Sequence, residues 1–319
     1  MPEQISSNAM VDQVHPTKSR AAKKITLWTR IRRSWQAYAL LAPIFIVMLI
    51  FVYYPPVLGL VRAFFNWAPN KEPIFVGFQN FIAYLTYNES GRELTNMTKL
   101  LSFNLISGVL APFIMAELIF SIRSNAAKEV YRLAMVIPIL VPGVVFLLLW
   151  KHIYDANLGP INGLLNLVGL NALTRDWLGD PATALYAVMG VGFPWISGIS
   201  TLIVLGGLAQ MPDSVFDAAL LDGCTGVQRW VRIDLPLILS QVRLLVILAV
   251  INGITSIQNI LILTRGGPGY ATSVPALRMF LRAFTTNEYG VGSAIGVLLF
   301  VIAMGITLLI NRFLRPYNE

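Results

Sequence analysis

Six long apolar runs with few charged residues divide this chain, and they constrain its fold more than any other feature. They lie at about 38–60, 100–122, 133–151, 183–209, 243–264 and 289–311. A helix needs about 20 apolar residues to cross the roughly 30 Å hydrocarbon core of a bilayer. The runs therefore predict an all-α integral membrane protein with six transmembrane helices, in which a basic tail (1–37) precedes one membrane domain (38–315).

The composition agrees with this class. Only 13% of the residues are charged and 56% are hydrophobic, whereas soluble domains carry about 25% charged residues. The formal net charge is +8, but the Lys and Arg residues lie between the apolar runs and form no single basic face, which argues against nucleic acid as a partner. A single cysteine, Cys224, excludes a disulfide within the chain, and two widely separated histidines argue against a metal site.

The distribution of positive charge predicts the orientation of the spans. With the N-terminus in the cytoplasm, 15 of the 24 Lys and Arg residues fall in the tail, the two inner loops and the C-terminus. Cytoplasmic segments of membrane proteins carry such an excess. Because six spans return the chain to its starting side, we expect both termini to be cytoplasmic.

A polar stretch at 213–236, DSVFDAALLDGCTGVQRWVRIDLP, separates the fourth and fifth runs. Ser214 and Asp217 have the spacing of a capping box, and Gly223 suits the position just after a helix C-terminus. The pattern predicts a short cytoplasmic coupling helix over 214–223, followed by an arm over 226–236. An ordinary amphipathic connector would explain the same pattern.

This stretch resembles the EAA loop of binding-protein-dependent ABC importer permeases, E-A-A-x-x-D-G-A-x-x-x-x-x-F-x-x-I-x-L-P-x-x-x-P. The positions that match are Ala218, Ala219, Asp222, Gly223, Ile233, Leu235 and Pro236. Asp217 replaces Glu, Cys224 replaces Ala, Trp230 replaces Phe and Ser240 replaces the last Pro. By this resemblance, the ATPase-coupling residues are Asp217, Ala218, Ala219, Asp222, Gly223, Trp230, Ile233, Leu235 and Pro236.

Three further segments are similar to those of carbohydrate-type permeases of the maltose and glycerol-phosphate kind: FVGFQNF at 75–81, LGPINGLL at 158–165 and LTRGGPGYAT at 263–272. The resemblance implies import of an oligosaccharide or sugar derivative across a bacterial inner membrane. It also implies a heterodimer with a second related permease, two ATPase subunits and an extracytoplasmic solute-binding protein, with lipid around the spans.

The chain lacks the motif that an ATPase would need. It contains no G-x-x-x-x-G-K-[ST] phosphate loop and no Gly-Lys dipeptide. ATP and magnesium are therefore expected on the partner ATPase, with no cofactor bound by this chain. No paired carboxylates or Ser/His/Asp set indicates an enzyme, although a membrane enzyme or an assembly factor remains an alternative class.

Polar side chains in the fifth run are candidates for a substrate pathway. Asn252, Ser256 and Asn259 share one helix face, and Gln258 lies beside them. Amides and hydroxyls both donate and accept hydrogen bonds, which suits sugar hydroxyls. Hydrogen bonding between helices would explain these residues equally well. Asn104 and Ser107 in the second run are weaker candidates.

Glu117 is the one acidic residue inside the second run. An ion- or proton-coupled secondary carrier would need such a group, and this is the alternative function. Arg123 follows six residues later near the inner face, so a paired or snorkelling structural role is favoured over proton transport.

Overall fold

The computed structural model describes residue 32 and residues 34–314, so most of the predicted tail lies outside the described residues. The chain divides into two units, Met1–Pro55 and Pro56–Glu319. The described part of the first unit is helical: an α-helix over Trp35–Met48 leads into a π turn over Leu49–Tyr53. This helix, α1, continues to Arg62 as Trp35–Arg62.

The second unit is mainly helical. A two-stranded antiparallel sheet, β1 (Phe65–Asn66) and β2 (Ile74–Phe75), pairs Phe65 with Phe75. The helices are α2 (Gln79–Leu85), α3 (Ser90–Phe120), α4 (Asn125–Val136), α5 (Gly143–Ile153), α6 (Pro160–Leu167), α7 (Ala184–Gly190), α8 (Gly198–Leu208), α9 (Asp213–Leu221), α10 (227–237), α11 (Leu239–Thr255), α12 (Gln258–Leu263), α13 (Pro275–Phe284) and α14 (Tyr289–Phe313). Short 3-10 turns occur at Ile137–Leu140 and Asn171–Leu173.

Four helical segments among the described residues are long and apolar enough to cross a membrane: Trp35–Arg62, Ser90–Phe120, Leu239–Leu263 and Tyr289–Phe313. Two further pairs pass the same test but are bent. Asn125–Leu140 meets Gly143–Ile153 at 88°, and Gly198–Leu208 meets Asp213–Leu221 at 77°. The described chain therefore has four candidate spans, or up to six if each bent pair is one span.

The runs predicted as the third and fourth spans correspond to helices with breaks. In the third, Val141 is extended before Pro142, as the residue before a proline usually is, and a new helix starts at Gly143. In the fourth, α7 and α8 are separated by a segment in which Gly192 and Trp195 have positive φ. Backbone of this kind cannot continue a right-handed helix.

The core of the second unit lies along α3 and α11. Towards the C-terminal end of α3, Phe113 and Ile119 pack with Leu208 of α8 and Leu245 of α11. A second cluster around Val250 brings together residues of α3, α11, α13 and α14. α3 and α11 therefore contribute to both clusters, and the candidate sites rest on their packing.

A buried carboxylate fixes the turn-rich 264–274 loop to the N-terminal part of α3. Arg278 Nε donates a 2.8 Å hydrogen bond to Glu93 Oε1, and its Nη2 lies 2.7 Å from the same oxygen as an ion-pair contact. Ser273 Oγ donates to that oxygen at 3.0 Å, and Tyr84 donates to Glu93 Oε2 at 3.3 Å. Burial and the nearby Glu93 charge raise the pKa of Tyr84, so its hydroxyl stays protonated as a donor.

The Asn96 amide adds a second attachment for the same loop. Its nitrogen donates to the carbonyls of Ala271 at 3.0 Å and Ser273 at 2.9 Å. The loop after the fifth run is thus held by side chains that lie about 175 positions earlier in the chain.

Replacing Glu93 by Gln is expected to destabilise the protein strongly, because the guanidinium of Arg278 would stay buried without its counter-charge. Breaking one side of a buried ion pair costs about 3–5 kcal/mol. Unfolding of the full chain in mixed detergent micelles measures the loss. Glu89→Gln is the matched control, since Glu89 forms an exposed 3.3 Å pair with Arg92, of a kind worth about 0–1 kcal/mol. Equal losses in both variants would contradict the assignment.

Candidate functional site

The polar stretch at 213–236 folds into two helical pieces, α9 and α10. α9 begins at Asp213 after Pro212, which is extended, and no side chain caps it. The predicted capping box of Ser214 and Asp217 is therefore not formed, because Ser214 already lies inside the first turn. Asp213 provides a negative charge near the helix N-terminus, where it is favourable.

α9 ends in a Schellman motif built on Gly223. The Gly223 N–H donates to Leu220 O at 3.1 Å, and the Cys224 N–H donates to Ala219 O at 2.8 Å. Gly223 has φ of +71°, a conformation that other residues adopt only at a cost. The role of helix terminator predicted for Gly223 agrees with this geometry, and the helix stops at Leu221.

The two sides of α9 have different environments. Ala219 is only 2% exposed, and the ring of Phe216 packs on Phe120 at the end of α3 with 5.3 Å between centroids. On the other side, Leu220 is 68% exposed and Leu221 is 89% exposed. Phe216 and Ala219 therefore face the rest of the chain, whereas Leu220 faces outwards.

The remaining residues of the predicted coupling set follow the same division. Asp217, Ala218 and Asp222 are exposed on α9. Within α10, Trp230, Ile233 and Leu235 are half-buried, whereas Pro236 is exposed. The two adjacent alanines therefore differ in environment: Ala219 is buried within this chain, whereas Ala218 is exposed.

α10 contains a π turn over Trp230–Asp234. A π turn adds a residue to the helical repeat and changes which side chains share a face. Val227 is consequently exposed, while Trp230 and Ile233 are half-buried. Ser240, which stands where the family pattern has Pro, lies in the first turn of α11, where a backbone N–H needs no helical partner.

An ionic cluster lies where α10 meets α3. Arg229 Nε donates to Asp234 Oδ2 at 2.8 Å, and Arg229 Nη2 lies 3.4 Å from Glu117 Oε2. Both carboxylates are fully buried, whereas the Arg229 side chain is 21% exposed. The described partner of Glu117 is thus Arg229, and not Arg123 as its proximity in sequence suggested.

A small polar pocket lies between α3, α7 and the junction of α11 with α12. Asn252, Ser256 and Asn259, three of the four predicted pathway residues, line it together with Asn104. Gln258 is not in its lining, and its amide nitrogen lies near Gly143 instead. Ser107 is also absent from the lining, and its hydroxyl donates to Phe103 O at 2.8 Å within α3.

Trp195 was not recognised from the sequence, although it lines the same pocket. Its φ is +60°, its indole nitrogen donates to Met189 O at 3.0 Å, and its ring meets Phe103 edge to face at 5.1 Å. The sequence did offer a signal for this irregular backbone, since Gly192 and Pro194 both lie inside an uncharged run. Irregular backbone at membrane depth is tolerated only inside protein or beside a cavity.

The pocket is small in this conformation. Its volume is about 80 Å³, whereas pockets that enclose small ligands measure about 300–1,000 Å³. A sugar could enter only if the surrounding helices moved apart. Among the described residues, no group of three or more His, Cys, Asp or Glu could hold a metal ion.

The sequence of the larger C-terminal part of the chain decides the family. Residues 108–316 match the family described as binding-protein-dependent transport system inner membrane component. The chain belongs to this family. Members of this family are membrane components of transport systems. This confirms the class expected from the sequence, which is a permease subunit and not an enzyme.

Curated relatives resemble the chain over most of its length. A trehalose/maltose transport system permease protein from Thermococcus litoralis is 30% identical over 91% of this chain and 98% of the relative. A probable ABC transporter permease protein from Bacillus subtilis is 28% identical over 88% of this chain and 97% of the relative.

A solved structure shares the fold. It belongs to a bacterial ABC transporter involved in the import of the acidic polysaccharide alginate, and it superposes with a TM-score of 0.79. The match covers 92% of this chain and 99% of that chain at 23% sequence identity. At this identity the likeness establishes the permease fold alone.

Replacing Gly223 by Val is expected to loosen the end of α9, because a β-branched residue is disfavoured at positive φ by roughly 1–2 kcal/mol. Amide hydrogen exchange at positions 223 and 224 of the purified full chain should accelerate about tenfold, since about 1.4 kcal/mol corresponds to that factor. Gly223→Asn is the control, because Asn tolerates the left-handed region. Unchanged exchange in the Val variant would contradict the role given to Gly223.

Proposed function

We propose that this chain is a permease subunit of an ATP-driven ABC importer that carries an oligosaccharide or sugar derivative across a bacterial cytoplasmic membrane. Family membership supports the transport role. The carbohydrate class rests on the names of relatives, which refer to trehalose/maltose, multiple sugars and diacetylchitobiose. It also rests on the LTRGGP segment after the fifth span.

The proposed topology has six spans with both termini in the cytoplasm. α4 with α5 forms a broken third span, and α7 with α8 forms a broken fourth span. The 77° bend after α8 then turns α9 away from the membrane on the cytoplasmic side. The excess of Lys and Arg in the inner segments supports this orientation.

The partners are a second related permease, two ATPase subunits that hold ATP and magnesium, and an extracytoplasmic solute-binding protein. The family description itself names dependence on a binding protein. The bacterial alginate transporter, which shares the fold, has been solved with an alginate pentasaccharide-bound periplasmic protein. For this chain, the same kind of assembly is our proposal.

The exposed face of α9 is the observation that carries the coupling mechanism. Leu220 and Leu221 project from a short helix whose Phe216 packs on Phe120 of α3 and whose Ala219 is buried. Exposed apolar side chains on a cytoplasmic helix suit a groove on a partner. Asp217, Ala218 and Asp222 flank them on the docking face, whereas Trp230, Ile233, Leu235 and Pro236 belong to the arm that leads to α11.

The proposed transport cycle is alternating access. Movement of the ATPase subunits on binding nucleotide displaces α9 as a rigid body, and this displacement separates the helices around the polar pocket. Asn252, Ser256 and Asn259 would then meet sugar hydroxyls with both donors and acceptors. Trp195 would offer an aromatic face beside them.

A proton-coupled carrier built on Glu117 is not favoured. Its carboxylate is ion-paired with Arg229, and the family is one of binding-protein-dependent transporters. The same family membership argues against a membrane enzyme.

Leu221→Arg is expected to release the ATPase subunits, because it places a charge in an apolar docking contact. Co-purification of the ATPase with the full transporter should fall about tenfold or more, with solute uptake lost and membrane insertion retained. Leu221→Met, which keeps an apolar side chain of similar volume, should assemble normally. Normal assembly of the Arg variant would refute docking through α9.

Asn259→Ala is expected to slow transport by about fivefold at saturating solute-binding protein, because a lost hydrogen bond is worth about 1 kcal/mol. Transport by reconstituted transporter in vesicles measures this rate, and assembly with the ATPase should not change. Gln258→Ala is the neighbouring control, since Gln258 lies outside the pocket lining. If the two variants transport equally well, the pocket is not part of the pathway.

A further inference from the structure

The Arg229 guanidinium lies where three parts of the chain meet. It pairs with Glu117 on α3 and with Asp234 on its own helix α10. It also lies over the ring of Phe216 on α9, with 5.3 Å between the guanidinium carbon and the ring centroid. One side chain therefore contacts the proposed coupling helix, the arm and the second span at once.

The contacts continue from α9 into α3 by a second route. Phe216 packs on Phe120, which follows Glu117 by less than one helical turn. A displacement of α9 would thus press on the C-terminal end of α3 through the aromatic pair and through Arg229. Both routes begin at the Phe216 ring: one reaches α3 directly through Phe120, and the other reaches it through Arg229 of α10.

The ion pairs of Arg229 with Glu117 and Asp234 are costly to break. Glu117 and Asp234 are both fully buried and share one guanidinium. In addition, Glu117 Oε1 and Asp234 Oδ1 have no hydrogen-bond partner among the described residues. Withdrawing Arg229 would leave two buried carboxylates without the cation between them, which is strongly unfavourable.

The position along α3 connects this cluster with the candidate pathway. Asn104, which lines the polar pocket, lies on the same continuous helix as Glu117, about 20 Å away along its axis. The helix continues from one position to the other, with Pro112 between them. A displacement at the Glu117 end can therefore reach the pocket wall along α3.

We propose that Glu117, Arg229 and Asp234 form an ionic link that makes α9, α10 and the inner end of α3 move as one body, with Arg229 as its positioning residue. The inference rests on the proposed coupling function of α9. It adds a route by which movement of the ATPase reaches the second span, besides the arm that leads to α11.

The test uses the complete transporter, with both permeases, the ATPase subunits and the binding protein, reconstituted in vesicles. Solute transported per ATP hydrolysed is measured at matched amounts of bound ATPase. Arg229→Met should lower this ratio at least fivefold while the ATPase stays bound and hydrolyses ATP. Arg232→Met is the matched control, since Arg232 is an exposed arginine of the same arm, and its ratio should be unchanged.

Two further variants test whether Arg229 acts through the ionic link or only supports the local structure. Arg229→Lys retains the positive charge and should restore part of the ratio. The double variant Glu117→Gln/Arg229→Met should be no worse than Arg229→Met alone, because both changes remove the same contact. Additive losses would overturn the link.

Other outcomes also decide the question. A normal ratio in Arg229→Met, or loss of bound ATPase in that variant, would overturn the link and leave the docking proposal standing. If Arg229→Met does not accumulate in the membrane, the isosteric Glu117→Gln gives the same test, with an unchanged ratio overturning the link. Failure of docking itself is detected separately, through normal assembly of Leu221→Arg.

Discussion

The structure depends on α3 being held by buried carboxylates near both of its ends. Glu93 binds Ser273 at the end of the 264–274 loop and Arg278 of α13, and Glu117 binds Arg229 of α10. Between them, α3 packs against α11 and α8 by apolar contacts that have little directional preference. The ion pairs therefore supply the specificity of position that the apolar packing lacks, and they set where the loops at the two ends of the helix lie.

Much of the architecture could be predicted from the sequence, because lipid imposes a simple rule on composition. The apolar runs located the long helices α3, α11 and α14, and Gly223 located the end of α9. The predicted boundaries of the helices were less accurate where polar residues extend a helix. α3 begins at Ser90, ten residues before the predicted run, because Glu93 and Asn96 face protein and not lipid.

The features that sequence reasoning missed depend on contacts between distant residues. Glu117 and Arg229 are 112 positions apart, so no local pattern could pair them. The burial of Ala219 beside the exposure of Leu220 is decided by how α9 lies on α3, which a helical repeat alone does not specify. Trp195 lines the pocket because the helix is interrupted at 192–195, where Gly192 and Trp195 have positive φ.

The two-sided character of α9 has a consequence for which substitutions the helix can tolerate. The inner side chains, Phe216 and Ala219, are committed to the chain's own packing, whereas Leu220 and Leu221 contribute little to it. Substitutions at these two positions should therefore cost little folding stability. If α9 docks on an ATPase as proposed, changes at very few positions could alter which ATPase the permease binds.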